Sequence, residues 1–186
     1  QVAECLLDGG VIIYPTDTVY GFGCDILQPK AIERVCRIKG IEPAKANLSF
    51  VCSDLSDLSK YARAISTPQY RFIKTHIPGP FTFILSASKE VPKILKSKKE
   101  TIGLRIPDHK ITHAIAEKLG HPILSSSLPG EMLEEYTDPE LIYDKFEKLV
   151  DIVIDAGIGG IVERIERNPL SNFETAFLRI DTSVVA

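Results

Sequence analysis

The sequence has no tryptophan, a single methionine and only four cysteines among its 186 residues. No two cysteines form a C-x-x-C pair, so neither a zinc ribbon nor a dithiol redox motif is encoded. The four histidines show no metal-ligand spacing on one face. We therefore expect no protein metal site and a cytoplasmic protein with reduced, mostly buried thiols at Cys5, Cys24, Cys36 and Cys52.

Long hydrophobic runs are also missing. No apolar stretch approaches the roughly 18 residues that a membrane span needs, and the start of the chain lacks the layout of a signal peptide. The expectation is that the protein does not associate with a membrane. With 44% hydrophobic residues, the chain can bury a sizeable core, and its length favours one domain.

The charge is small overall but unevenly placed. A net charge of −3 argues against a surface that is basic throughout, whereas the segment 131–151 carries eight acids against two lysines. A locally basic and globally acidic chain suits a small anionic ligand at least as well as a polynucleotide. The alternative is that the basic groups are solvated faces. Two such groups stand out: Lys30, Arg34, Arg37, Lys39 and Lys45, and Lys89, Lys93, Lys96, Lys98 and Lys99.

Short apolar runs alternate with segments of helical periodicity, which is typical of an α/β protein. Strands are predicted over 11–14, 48–51, 82–85, 101–106, 122–125 and 151–155, and helices over 2–8, 29–39, 67–76, 111–119 and 138–150. There are no internal repeats, linkers or low-complexity tracts. We expect a single compact domain with a twisted, mixed sheet and helices around it.

The segment 15–23, PTDTVYGFG, follows the first predicted strand and so leaves the sheet where α/β proteins tend to bind ligands. In an extended backbone Thr16 and Thr18 share a face and present two hydroxyls on one side. Gly21 and Gly23 permit a close approach of backbone to ligand. On its own, the segment could equally be a β-turn that carries polar side chains.

Several further motifs follow in order: Lys39-Gly40, NLSFV at 47–51, PGPFT at 78–82, GLRIP at 103–107 and PILSSS at 122–127. Together with PTDTVYGFG, they resemble the YrdC-like threonylcarbamoyl-AMP synthase family over about residues 1–160. The residues within the motifs are more similar to those of its YciO-like branch. The resemblance implies an open sheet of the YrdC/RibB-like kind that encloses a basic cavity. Residues 1–160 would form this domain, and 161–186 would be a segment of unclear role packed on it.

What the resemblance implies for function is an ATP-dependent nucleotidyltransferase. Members of the family join L-threonine, bicarbonate or CO2, and ATP into threonylcarbamoyl-AMP and pyrophosphate for the modification of tRNA. ATP would be a substrate, accompanied by Mg²⁺. The alternative, from another class, is a protein that keeps the cavity but binds double-stranded RNA or regulates without catalysis. Such RNA binding should weaken steeply with salt.

The family's functional residues carry over by position. Thr18 and Arg105 would hold threonine, with Arg105 pairing with its carboxylate as a planar fork. Lys39 would be the catalytic residue that lies on the triphosphate. The nucleotide would be contacted by Asn47, Thr101, Ser125 and Ser127. Because side chains alternate along a strand, Thr101 and Arg105 should share a face about 13 Å apart.

Taken singly, these residues have ordinary structural explanations. Arg105 could be a charge on an edge strand, and Lys39 could simply complement the dipole of the helix that it ends. The chain also departs from the family pattern. The arginine of the family's Lys-x-Arg is Ile41 here, a histidine of the pocket aligns with Cys52, and the family's Pro-Ser-Thr-Val-Val-Asp near the end is absent.

Overall fold

The computed structural model describes residues 1–46, 48–95, 100–130 and 132–159, with the backbone alone at Ala44, and also the backbone of a strand at 177–180. The helices are α1 (Val2–Leu7), α2 (Pro29–Ile38), α3 (Leu55–Tyr61), α4 (Thr67–Lys74), α5 (Lys110–Leu119) and α6 (Pro139–Phe146). The strands are β1 (Val11–Tyr14), β2 (Gly21–Asp25), β3 (Ser49–Val51), β4 (Phe81–Ser86), β5 (Thr101–Arg105), β6 (Ile123–Ser127), β7 (Ile152–Val153) and β8 (Phe177–Ile180). Short 3-10 helices lie at Pro43–Lys45, Lys93–Leu95 and Leu133–Tyr136.

The strands form one mixed sheet in the order β7-β1-β2-β6-β3-β5-β4-β8. The pairs β1–β7 and β3–β5 are parallel, and the other neighbours are antiparallel. The predicted class, a single α/β domain with a mixed sheet and surrounding helices, is confirmed. The central strands β2, β6, β3 and β5 come from four distant parts of the sequence. The sheet therefore brings together side chains that the chain keeps far apart.

Each predicted strand and helix is present, with ends that differ by a few residues. Three of the strands and helices were not predicted, namely β2, α3 and β8. The segment containing Gly21 and Gly23 is not only a ligand loop, because from residue 21 it continues as the central strand β2. Because glycine is uncommon in strands, the sequence did not predict β2. The short helix α3 was also missed, although the Asp54 carboxylate caps it by accepting a hydrogen bond from Ser56 N at 2.7 Å.

Two apolar clusters cover the two faces of the sheet. The larger packs α2, α3, α4 and α6 on the face that carries Phe22, Phe50 and Leu104. The smaller lies on the opposite face beneath α1 and α5, and it includes Ile12, Tyr14, Val51 and Ile123 of the strands and Leu6, Ile115 and Leu119 of the helices. The smaller cluster covers only part of its face, and beyond it the strands carry serine, glycine and arginine.

Among the described residues no helix is long and apolar enough to cross a membrane. The division of the chain at residue 160 stays a prediction. Of the segment 161–186, only the strand β8 is described, and its backbone pairs with β4 in antiparallel register, Phe83 opposite Leu178. The remainder of that segment lies outside the described residues, as do Lys96, Lys98 and Lys99 of the second basic group.

Candidate functional site

A row of small residues crosses four neighbouring strands at the centre of the sheet. Gly23 of β2 lies opposite Ser125 of β6, Ser125 lies opposite Ser49 of β3, and Ser49 lies opposite Gly103 of β5. Residues directly opposite each other in a sheet point to the same face. Because none of the four side chains is large, the row forms a shallow floor on the face that is otherwise covered by α1 and α5.

Larger side chains from neighbouring residues lie close to Gly23 and Gly103. A Cβ at Gly23 would lie 2.8 Å from Tyr14 Cε1, and a Cβ at Gly103 would lie 3.1 Å from both Ser49 Cβ and Thr82 Cγ2. Neither position has space for a side chain. The glycines therefore allow Tyr14 and Thr82 to border the floor without a clash.

Arg105 lies on the same face as Gly103, at the end of β5, and its side chain is 10% exposed. Its Nη2 donates hydrogen bonds to the Asp17 carboxylate and to Thr18 Oγ1, the second at 2.9 Å. Asp17 is equally buried, with 9% of its side chain exposed. Thr18 and Arg105, which are 87 residues apart in sequence, are thus in direct contact, as their predicted roles require.

Asp17 also fixes the chain on the far side of Arg105, because its second carboxylate oxygen accepts a hydrogen bond from Asp108 N at 3.0 Å. Arg105 Nε is different. It is buried and has no hydrogen-bond partner among the described residues. A buried donor without a partner costs about 1–3 kcal/mol, so the two hydrogen bonds of Nη2 have to offset this cost.

The loop before β2 holds Thr18 in place. Thr16 Oγ1 donates to Val19 O at 2.7 Å and accepts from Thr18 N at 3.2 Å, and the two threonine hydroxyls are 3.0 Å apart. Since the Thr16 proton goes to Val19, the Thr18 hydroxyl must be the donor in the threonine pair. Thr18 Oγ1 then accepts from Arg105 and keeps one lone pair, which suits an N–H group of a ligand.

Tyr14 and Ser125 form a second polar contact on this face. The Tyr14 hydroxyl is fully buried, and burial raises its pKa to about 12, so it stays protonated. It donates to Ser125 Oγ at 2.8 Å. Because Ser125 accepts this hydrogen bond, its own O–H is available as a donor at the centre of the floor.

Lys39 lies at the end of β6, on the face opposite to the floor. It follows α2, which packs on that face, and its ammonium donates to Ser126 Oγ at 2.7 Å and to Ser127 O at 2.5 Å. Ser126 lies opposite Phe22 of the larger cluster, so its hydroxyl points away from the floor, whereas the Ser127 carbonyl marks the end of the strand. Burial lowers the pKa of Lys39. Two of its three donor positions are used, so one remains, and no carboxylate among the described residues is bonded to it.

The sheet therefore divides the predicted residues between two ends. Ser127 and Thr101 lie two residues beyond the floor on their strands and on the same side of it, because β5 and β6 run in opposite directions. Lys39 is bonded to Ser127 O at this end of β6, but from the opposite face of the sheet. Arg105 lies two residues beyond the floor on the other side, with Thr18. Asn47 lies outside the described residues.

Reasoning from the sequence did not assign two residues of the site, Asp17 and Tyr14. His109, near Asp17, is half-buried, and its Nδ1 has no hydrogen-bond partner among the described residues. Cys52 is buried within the larger cluster, and Ile41 is packed against it, so neither offers a polar group to this face.

No group of three or more histidines, cysteines or carboxylates that could hold a metal ion is found among the residues described. The donor set instead favours organic and anionic groups. Arginine and lysine with three hydroxyls bind carboxylate, phosphate and amine groups. Fold and site together define an α/β domain with a candidate ligand site across its central strands.

Comparisons with known proteins agree with this description. The model of the Sua5/YciO/YrdC family, described as "Telomere recombination", matches residues 4–166. The uncharacterized protein YciO of Escherichia coli is 45% identical over 163 residues, which cover 86% of this chain and 78% of YciO. A threonylcarbamoyl-AMP synthase of Idiomarina loihiensis is 30% identical over 175 residues, which cover 92% of this chain and 94% of the synthase. The chain belongs to the Sua5/YciO/YrdC family.

Solved structures give the same relationship. The crystal structure of E. coli YciO has a TM-score of 0.78 and covers 86% of this chain and 78% of YciO. The P. abyssi Sua5 structure complexed with L-threonine has a TM-score of 0.76 at 27% identity, and the match covers 86% of this chain and 46% of Sua5. The predicted family and its YciO-like branch are confirmed.

Proposed function

We propose that the protein binds L-threonine, bicarbonate or CO2, and ATP, and forms a threonylcarbamoyl adenylate with release of pyrophosphate. The observation that carries the proposal is the Arg105 guanidinium, which is 10% exposed beside the floor, is held on Nη2 by Asp17 and Thr18, and has no Nη1 bond to a described residue. The relatives named threonylcarbamoyl-AMP synthase and the threonine-bound Sua5 structure support it.

The amino acid belongs at the Arg105 end of the floor. Arg105 donates to its carboxylate from Nη1, which Asp17 and Thr18 do not use, and the remaining lone pair of Thr18 Oγ1 accepts from its amine. Ser125 donates from the centre of the floor to the carbamate oxygen that forms when the amine adds to CO2. These contacts hold the carbamate toward the end of the floor with Thr101 and Ser127. The triphosphate belongs beyond this end, where the Lys39 ammonium that is bonded to Ser127 O can reach it around the end of β6.

The adenylate forms when a carbamate oxygen attacks the α-phosphorus of ATP and pyrophosphate leaves. This displacement needs positioning and charge neutralisation more than covalent help from the protein. Lys39 supplies a cation beside the leaving phosphates, and ATP enters as its Mg²⁺ complex. Ile41 supplies no second cation, so we expect weaker affinity for the triphosphate than in relatives that carry an arginine there.

The test is incubation of the protein with ATP, Mg²⁺, labelled bicarbonate and L-threonine, followed by assays for pyrophosphate and a labelled adenylate. Both products are expected, and both should depend on threonine. If neither appears above background while the protein binds double-stranded RNA with a steep salt dependence, the RNA-binding alternative replaces the enzyme. Threonine binding without either product would restrict the function to that of a binding protein.

A further inference from the structure

Three side chains surround Gly103 on the floor. Gly103 lies opposite Ser49 of β3 on one side and opposite Ile84 of β4 on the other. A Cβ built on Gly103 would lie 3.1 Å from Ser49 Cβ, 3.1 Å from Thr82 Cγ2 and 3.4 Å from Ile84 Cδ1. A small ligand group that lies over Gly103 therefore meets these side chains on two sides, as the walls of a narrow slot.

The two walls of this slot differ in chemistry. The β4 wall presents two methyl groups, Thr82 Cγ2 and Ile84 Cδ1, whereas the β3 wall is the hydroxymethyl group of Ser49. Ser125 Oγ is bonded to Tyr14, but the Ser49 hydroxyl has no hydrogen-bond partner among the described residues. A serine hydroxyl can donate one hydrogen bond and accept two, so Ser49 can pair with a hydroxyl group of a ligand.

Ser49 is also accessible. It lies on a central strand that is paired with β6 on one edge and with β5 on the other, yet it is partly exposed. A residue of such a strand can be exposed only through a face of the sheet, so the floor is open above Ser49. Packing does not account for the residue, because it belongs to neither apolar cluster, and a β-branched residue would suit a central strand better.

The slot lies next to the amino-acid end of the floor. Gly103 and Arg105 share a face of β5, and two residues along a strand span about 6.6 Å, which one small amino acid can bridge. An amino acid whose carboxylate pairs with Arg105 and whose amine pairs with Thr18 has its side chain within reach of the slot. The β-carbon of threonine carries one hydroxyl and one methyl group, which match the two walls.

We propose that Ser49 is a specificity-determining residue that selects a β-hydroxy amino acid. Its hydroxyl bonds the side-chain hydroxyl of the substrate, while the methyl groups of Thr82 and Ile84 contact the methyl group of the substrate. The inference rests on the proposed function and deepens it, because it assigns the choice of substrate to one residue. Valine is the decisive comparison, since it has the shape of threonine with a methyl group in place of the hydroxyl.

The test is calorimetric titration of the full chain with L-threonine, L-valine and L-serine, for the wild type and two variants. Ser49→Ala removes one oxygen from a partly exposed side chain, and urea unfolding of the same samples checks that the fold is kept. Ser59→Ala is the matched control, because Ser59 is exposed on α3, which packs on the opposite face of the sheet.

For the wild type, we expect threonine to bind about tenfold more tightly than valine, which is the order of magnitude of one hydrogen bond. Serine should bind about fourfold more weakly than threonine, because it lacks the methyl group. Ser49→Ala should raise the Kd of threonine and of serine by a similar factor of about ten and should not raise that of valine. Ser59→Ala should match the wild type with all three amino acids.

The inference is overturned if the wild type binds threonine and valine equally well. It is also overturned if Ser49→Ala keeps the wild-type ratio of the two Kd values, because a loss that is the same for both amino acids would show that Ser49 does not touch the hydroxyl. A wild type that binds none of the three amino acids would instead remove the proposed function, and this inference with it.

Discussion

The substitution Arg105→Lys separates the two tasks of Arg105, which are to pair with Asp17 and to bind a carboxylate. Lysine keeps a cation beside Asp17 but loses the planar fork and the Nη1 donor. A hydrogen bond to a charged group is worth about 1.5–3 kcal/mol, so the threonine Kd should rise by roughly 10- to 150-fold. The free energy of unfolding should fall much less, since the Asp17 carboxylate stays paired.

Arg105→Ala would be a poor test, although the sequence alone makes it the obvious one. Both partners are about nine-tenths buried, and removing one partner of a buried ion pair costs about 3–5 kcal/mol. This is a large fraction of a typical total stability of about 5–15 kcal/mol. Loss of threonine binding by Arg105→Ala would then not be separable from loss of the fold.

The assay is calorimetric titration with L-threonine, accompanied by urea unfolding of the same samples. Arg71→Lys is the matched control, because Arg71 is exposed on α4 and away from the site, and it should change neither quantity. An Arg105→Lys variant that is stable and binds threonine as tightly as the wild type would refute the role of Arg105. The amino-acid end of the site would then have to be sought elsewhere.

Three other predictions follow from contacts of the site. Tyr14→Phe removes the donor to Ser125 and should weaken threonine binding while costing about 1 kcal/mol in urea unfolding; unchanged affinity would contradict the assigned contact. Lys39→Met should raise the Kd for ATP at least tenfold in calorimetry and leave the threonine Kd unchanged, and equal loss of both would argue against two separate ends. Because burial lowers the pKa of His109, the unfolded chain binds more protons below the ordinary pKa of about 6.5. The free energy of unfolding of the wild type should therefore fall relative to His109→Asn as the pH decreases through this range, and parallel curves would show that His109 is not buried.

The elements that sequence reasoning located are those with a strong local signal. The apolar run of β1, the Pro29 start of α2 and the Gly120 end of α5 each determine structure within a few residues. β2 was missed because Gly21 and Gly23 are poor strand formers, and their presence is explained only by the neighbours that lean over the floor. These neighbours, Tyr14 and Ser125, belong to other strands of the sheet, so the sequence of β2 alone does not reveal them.

The same distinction applies to the site. The motifs predicted Thr18 and Arg105 as one site, and the structure places them 2.9 Å apart. It adds Asp17, whose carboxylate accepts from the same Arg105 Nη2 that bonds Thr18. Tyr14 was missed because its hydrogen bond to Ser125 passes over Gly23 of the intervening strand. No spacing in the sequence reports such a contact.

The two ends of the floor differ in net charge, and the two proposed substrates differ in net charge in a matching way. At the amino-acid end, Asp17 offsets the charge of Arg105, so a zwitterion of zero net charge is matched better than an anion. At the other end, no carboxylate among the described residues is bonded to Lys39, so a polyphosphate is favoured there. Carbamate formation on this zwitterion releases two protons, one from the ammonium group and one on addition of CO2, so the ligand gains two negative charges. Because negative charge is unfavourable next to Asp17, the carbamate is expected to turn away from Asp17, toward the Ser125 hydroxyl and the Lys39 cation, which is the direction of the triphosphate.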